Sequence, residues 1–182
     1  GSKVVVIGAG GVGLNVLQGA ALAGAETIIA VDIHGPKLEH SMQFGATHLV
    51  NAAADDVVAA VAEITGGEMA DYAFEAIGST LAINQALSTT KRGGVTVAVG
   101  VAPAGAELTI DPDFLHQDRV LMGCTYGSCN SRADMPMLVD LYMAGKLKLD
   151  ELISRTFSLD EINTAFELLD QGEGARSIIK YG

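Results

Sequence analysis

The chain has 182 residues, 49% of them hydrophobic and 18% charged, with 22 acidic against 11 basic side chains and a formal net charge of −11. This length fits one domain, or one domain with an appendage, and buries enough surface to fold without disulfides or metals; the apolar content excludes intrinsic disorder. The acidic balance argues against nucleic-acid and anionic-membrane partners, and the longest apolar stretch, Val12 to Ala25, is broken by Asn15 and Gln18 before it reaches membrane-spanning length.

Lys3–Ile7 (KVVVI) is a β-branched run that ends in glycines and reads as a buried strand. Val12–Ala25 has the small, apolar composition of a helix packed closely on a sheet, and Thr27–Val31 (TIIAV) is a second buried strand. Pro36 opens a helical stretch over Lys37–Phe44 that Gly45 stops, and His48–Val50 is a third strand. Asp55–Thr65 is amphipathic at helical spacing, Met69–Glu75 gives a fourth strand, Leu81–Thr90 a helix and Val95–Val99 a fifth strand. Apolar strands alternating with helices predict an α/β fold, a doubly wound parallel sheet (Rossmann fold) with helices on both faces.

Beyond Gly100 the texture changes. A Pro/Gly/Ala stretch leads into Glu107–Ile110, a turn at Asp111-Pro112 and a strand near Val120–Cys124. Ala133–Ala144 reads as a helix, Ser158 and Glu161 have capping-box spacing ahead of a helix over Glu161–Leu169, and Ser177–Tyr181 is a closing strand. The expected division is a nucleotide-binding core over residues 1–127 and C-terminal helices with a closing strand over 128–182.

Gly8-Ala9-Gly10-Gly11-Val12-Gly13 is a G-x-G-x-x-G motif at the exit of the first strand and the entry of the first helix. Gly8 allows a tight turn, Gly10 lets the backbone approach a pyrophosphate, and Gly13 lets helix and strand pack closely. Free N–H groups and the positive end of the helix dipole would hold the anion. Asp32 follows Gly13 by 19 residues, at the end of the second strand. A carboxylate there accepts from the adenosine ribose hydroxyls and repels a 2′-phosphate, which favours NAD over NADP.

Here the sequence resembles the cofactor-binding domain of zinc-dependent alcohol dehydrogenases, in the medium-chain dehydrogenase/reductase superfamily. The resemblance spans essentially the whole chain and rests on VVVIGAGGVGLNVLQGAALAGA, IIAVDIHGPKLE, QFGATHLVN, DYAFEAIGS, VAVGVAP and LDEINTAFELLDQGEGARSIIKYG in that order. It implies that Lys37 reaches the adenosine ribose and that Ile77 and Gly78 line the adenine–ribose side. Val99, Gly100 and Val101 would face the nicotinamide, and main-chain groups of Cys124 and Tyr126 would bind its carboxamide. Arg176 would contact the pyrophosphate, a role suited to a guanidinium.

The resemblance also implies an upstream catalytic domain that supplies the zinc ligands and the proton relay, so zinc belongs to the full-length parent. Only seven residues precede Gly8, and the chain opens on Gly1-Ser2 with no initiating Met; the expectation is a segment of a longer protein, inactive as a dehydrogenase on its own. Cys124, Cys129, His34, His40, His48 and His116 have no spacing that builds a tetrahedral zinc site, so no metal ligand is expected here. Two cysteines fit a reducing, cytoplasmic setting. The resemblance further implies a homodimer through an edge made of Leu108–Ile110 and Val120–Cys124. Tyr142 and Lys146 have the Y-x-x-x-K spacing of short-chain dehydrogenases but lie outside that family's context and read as coincidence. Two other readings stay open: an NAD-sensing regulatory module, and the cofactor domain of a zinc-independent reductase.

Overall fold

A computed structural model of the chain describes residues 1–181. It divides into two compact units, Gly1–Asn130 and Ser131–Gly182. In the first, β1 (Lys3–Ile7), β2 (Thr27–Asp32), β3 (His48–Asn51), β4 (Ala70–Glu75), β5 (Thr90–Ala98) and β6 (Val120–Gly123) form one sheet in the order β3-β2-β1-β4-β5-β6. Every pairing is parallel, with Ile7 opposite both Val31 and Glu75. The strand order reverses between β1 and β4, and the carboxyl ends of strands at such a switch point enclose the ligand crevice of open α/β sheets.

Helices α1 (Gly11–Leu22), α2 (Gly35–Ser41), α3 (Val57–Ile64) and α4 (Thr80–Thr89) make the crossovers. Side chains alternate across the sheet. Val5, Ile7, Ile29, Val31, Val50 and Ala73 pack with Val57 and Val61 of α3 and Ala82 and Ala86 of α4. Residues of the other parity, including Val4, Val6, Ile28 and Ala30, are equally buried, as are Leu14 and Leu17 of α1 and Leu38 of α2. Strands buried on both faces explain the unbroken β-branched runs.

Local chemistry sets several boundaries. Gly45 leaves the turn after α2 at φ 101, and Asp56 caps α3 by accepting from the Ala59 N–H at 3.0 Å. β5 starts five residues earlier than its apolar run, because Thr90 pairs with Ala70 ahead of a register irregularity between Thr90 and Val95. On the α1 side, Val12, Val16, Ala20, Tyr72, Phe74, Val97 and Val99 line an open apolar groove of about 670 Å³.

One expectation fails. Leu108–Ile110 is not a strand: the segment before α5 (Asp113–His116) makes no ladder, so β6 alone forms that edge of the sheet among the described residues. Alternating L-T-I texture is insufficient when the backbone finds no neighbouring strand. The expected closing strand is present as β8 (Arg176–Ile179), which pairs in parallel with β7 (Ile153–Phe157) in the second unit. That unit also holds α6 (Ser131–Met143) and α7 (Ile162–Asp170), and Ser158 and Glu161 form the expected capping box.

Candidate cofactor site

The glycine motif lies between the end of β1 and the start of α1. Gly8 has φ 101, a backbone state that side chains rarely adopt, and its N–H donates to the Val31 carbonyl at 2.8 Å. A Cβ on Gly13 would stand 1.7 Å from the Gly8 carbonyl oxygen, so α1 rests on the loop backbone itself. Gly10 differs: its φ of −80 is ordinary, and a Cβ there would meet nothing within 4 Å. No side chain caps α1 and its first turn has no acidic residue, which leaves the N–H groups of Gly11, Val12 and Gly13 facing an open cradle. The residues present fit a dinucleotide pyrophosphate, since backbone donors converge where only glycine keeps the space free.

Asp32 ends β2 and is almost fully buried. One carboxylate oxygen accepts from the Ala9 N–H at 2.8 Å and the other from the His34 N–H at 2.9 Å. A carboxylate has about four lone-pair sites, so both oxygens retain accepting capacity while the side chain is fixed in direction. Lys37 stands in α2, half-buried, and its ammonium has no ion-pair partner among the described residues.

The loops after β4 and β5 meet backbone to backbone. A Cβ on Gly78 would lie 2.3 Å from the Val101 carbonyl oxygen, and one on Gly100 would lie 2.0 Å from the Gly78 nitrogen. On the other side, a Cβ on Gly8 would meet the Ile77 side chain at 2.8 Å. The fold therefore brings Gly8, Ile77, Gly78, Gly100 and Val101 together. Val101 is 91% exposed and Ile77 57% exposed, unusual apolar exposure at the mouth of a crevice. Cys124 continues β6, its N–H donating to the Ala98 carbonyl at 3.0 Å, and Tyr126, Gly127 and Ser128 follow with φ of 51, 68 and 50. Strained non-glycine backbone of this kind concentrates at functional segments.

Arg176 lies in the second unit at the start of β8, exposed, with its backbone N–H near the Ser154 hydroxyl. Tyr142 donates its hydroxyl to Asp150 at 2.8 Å, a bond that raises its pKa, so the Y-x-x-x-K tyrosine has a carboxylate partner. Among the described residues no three His, Cys, Asp or Glu side chains converge as a metal would require, and Cys124 and Cys129 are free thiols. Among the described residues no helix is long and apolar enough to cross a membrane.

Sequence reasoning assigned no role to Glu75. It is fully buried at the end of β4, where Oε1 accepts from the N–H groups of Ile77 at 2.8 Å, Gly78 at 2.6 Å and Ser79 at 3.3 Å. The available signal was a carboxylate closing the strand three residues ahead of Gly78.

The profile of a family described as zinc-binding dehydrogenase matches residues 11–144. S-(hydroxymethyl)glutathione dehydrogenase of Paracoccus denitrificans is 43% identical over the whole chain, and alcohol dehydrogenase class-3 of Cereibacter sphaeroides 44%; the chain spans about half the length of each. Benzyl alcohol dehydrogenase of Acinetobacter calcoaceticus superposes with a TM-score of 0.93 at 37% identity, over all of this chain and half of that one. A zinc-binding dehydrogenase of Sinorhizobium meliloti, solved bound to NADP, gives 0.83 at 30% identity, again over the whole chain and 52% of its own. Fold, glycine cradle and family match converge: the chain belongs to the zinc-binding dehydrogenases and corresponds to their nucleotide-binding half.

Proposed function

We propose that this chain is the NAD-binding part of an alcohol dehydrogenase that interconverts an alcohol and an aldehyde. The observation that carries the reading is the open cradle at Gly10 beside the fixed carboxylate of Asp32. A bound nicotinamide would supply the hydride acceptor or donor. The first-turn N–H groups of α1 hold the pyrophosphate without a side-chain charge, which matters in a chain of net charge −11. Asp32 accepts from the ribose and disfavours a 2′-phosphate, and Lys37 adds a cation on the ribose side. Ile77 and Gly78 bound the adenine–ribose side, while Val99, Gly100 and Val101 present apolar surface and main chain to the nicotinamide. Cys124 and Tyr126 offer main-chain groups to the carboxamide, and Arg176 belongs to the pyrophosphate contacts.

The metal named by the family has no ligand set among the described residues. Catalytic ligands, proton relay and substrate pocket belong, in this reading, to the half that the relatives have and this sequence lacks, and residues 128–182 return toward it. The two free cysteines fit a cytoplasmic setting. Edge strand β6, with Val120 and Met122 about half exposed, is the surface through which two copies would pair.

A thermal shift with NAD and NADP tests the reading. At a hundredfold excess over Kd, NAD should stabilise the chain by about 2.7 kcal/mol, or roughly 5–10 °C for this size, with a smaller shift for NADP. NADP giving the larger shift would reverse the cofactor assignment, in line with the Sinorhizobium neighbour. Alcohol-dependent NADH formation that scales with this purified chain would refute the division of labour.

A further inference from the structure

Glu75 sits where the three loops of the crevice meet. Its strand neighbours are Ile7 at the end of β1 and Ala98 at the end of β5. Its main-chain carbonyl accepts from Val99 N–H at 2.8 Å and Gly100 N–H at 3.0 Å. Its carboxylate turns to the other loop and gathers three successive N–H groups, Ile77 to Ser79, onto Oε1. These are the groups that precede α4, whose N-cap Ser79 makes no side-chain cap of its own. Such a run of N–H groups ahead of a helix is a ready anion nest, and here the chain fills it with its own carboxylate.

The arrangement is costly to build. Glu75 is fully buried, and its second oxygen, Oε2, has no partner among the described residues. Burying a carboxylate is unfavourable unless its bonds secure something, and an apolar side chain would pack this strand end more simply. What the bonds secure is the height of the 77–79 turn. Gly78 must lie flat for Gly100 and Val101 to cross it, since no room exists for even a Cβ between them. One residue thus holds both loops, the turn through its side chain and the 99–100 segment through its carbonyl.

We propose that Glu75 is a positioning residue for the cofactor, an internal anion that fixes the 77–79 turn against Gly100–Val101 so that the crevice is formed before the nucleotide arrives. It touches no cofactor atom in this account and acts through the turn. The inference rests on the NAD reading above.

The test is NAD affinity by calorimetry on the 182-residue chain, well below the unfolding midpoint of each variant, with the midpoint recorded in parallel. Glu75→Met fills the space without an acceptor and should raise the Kd for NAD at least about tenfold, as loss of charge-assisted bonds to the turn predicts. Glu75→Gln keeps an acceptor oxygen on the same stem and should restore Kd to within about threefold of the unaltered chain. Amide exchange at Ile77–Ser79 should quicken in the Met variant and not in the Gln variant. A role in folding alone would lower the midpoint and leave Kd unmoved, and that outcome overturns the proposal.

If the Met variant does not fold, Glu75→Asp withdraws the oxygen by one methylene and should weaken NAD by about three- to tenfold. Unchanged affinity in the Asp variant also overturns the proposal. Failure of the unaltered chain to bind NAD removes the cofactor reading and this inference with it. Binding by the unaltered chain together with unchanged Met and Asp variants removes this inference alone.

Discussion

Gly10 and Gly13 are three residues apart in one motif, yet the structure gives them opposite duties, and alanine at each separates them. At Gly10 the backbone is in an ordinary region and an added Cβ meets no atom within 4 Å. Replacing a glycine at a compatible position gains about 0.4–1 kcal/mol from the unfolded state, while losing glycine at an N-cap costs a comparable amount. The unfolding midpoint of Gly10→Ala should therefore stay within about 3 °C of the unaltered chain. The same methyl would occupy the cradle where the pyrophosphate approaches, and NAD affinity should fall at least about tenfold. At Gly13 the Cβ would stand 1.7 Å from the Gly8 carbonyl oxygen, about half an ordinary contact distance. Helix α1 would have to lift off the loop, so Gly13→Ala should lose stability and affinity together, with a midpoint fall of roughly 4–10 °C from overpacking of about 2–3 kcal/mol. Differential scanning fluorimetry and calorimetry on the two variants give all four numbers. A Gly10→Ala chain that binds NAD as the unaltered chain does would refute the cradle, whatever the Gly13 result.

Asp32→Ser should weaken NAD and narrow its preference over NADP; unchanged affinities for both cofactors would remove Asp32 from the ribose. Asp71 provides a pH dependence remote from the site. Burial raises its pKa, but the Lys91 bond, the Lys3 backbone N–H and the charges of Lys91 and Lys3 outweigh this and hold the carboxyl below its usual value. The depressed folded value means that the unfolded chain takes up the proton first, so the stabilisation is present at neutral pH and lost on acidification below about pH 4. Asp71→Asn should lower the midpoint by about 1–4 °C at pH 7 and by less as the pH falls well below 4, and equal losses at neutral and acidic pH would contradict the linkage. Light scattering at micromolar concentration should report a dimer, whereas a monomer would leave the β6 edge without its assigned partner.

The first two strands were legible because both are buried on both faces and read as unbroken apolar runs, and the next three because short apolar stretches stand between helical segments. The motif at Gly8–Gly13 was legible for a related reason, since close backbone approach leaves glycine as its trace in the sequence. What stayed hidden lacked that trace. β7 (ISRTF) is almost wholly exposed, so its polar alternation resembles a loop. Leu108–Ile110 showed the converse, a strand-like texture without a neighbour to pair with. Glu75 was overlooked because a buried carboxylate is defined by its three N–H partners, and those are set by a turn whose shape no local propensity gives. The place of Arg176 depends on how its unit meets the nucleotide, a matter of tertiary arrangement rather than local sequence.

The crossing of Gly78 beneath Gly100 and Val101 carries a consequence for how this site can diversify. Its frame consists of peptide groups at contact distance, so neither glycine can gain a side chain while the other loop stays in place, and substituting both only doubles the obstruction. The two positions are locked together in any mutational path. Ile77 and Val101 project from that same frame with their side chains largely in the open. Descendants of this sequence can exchange those two residues freely, adjusting the fit to different nucleotides or substrates, without disturbing the backbone that holds them.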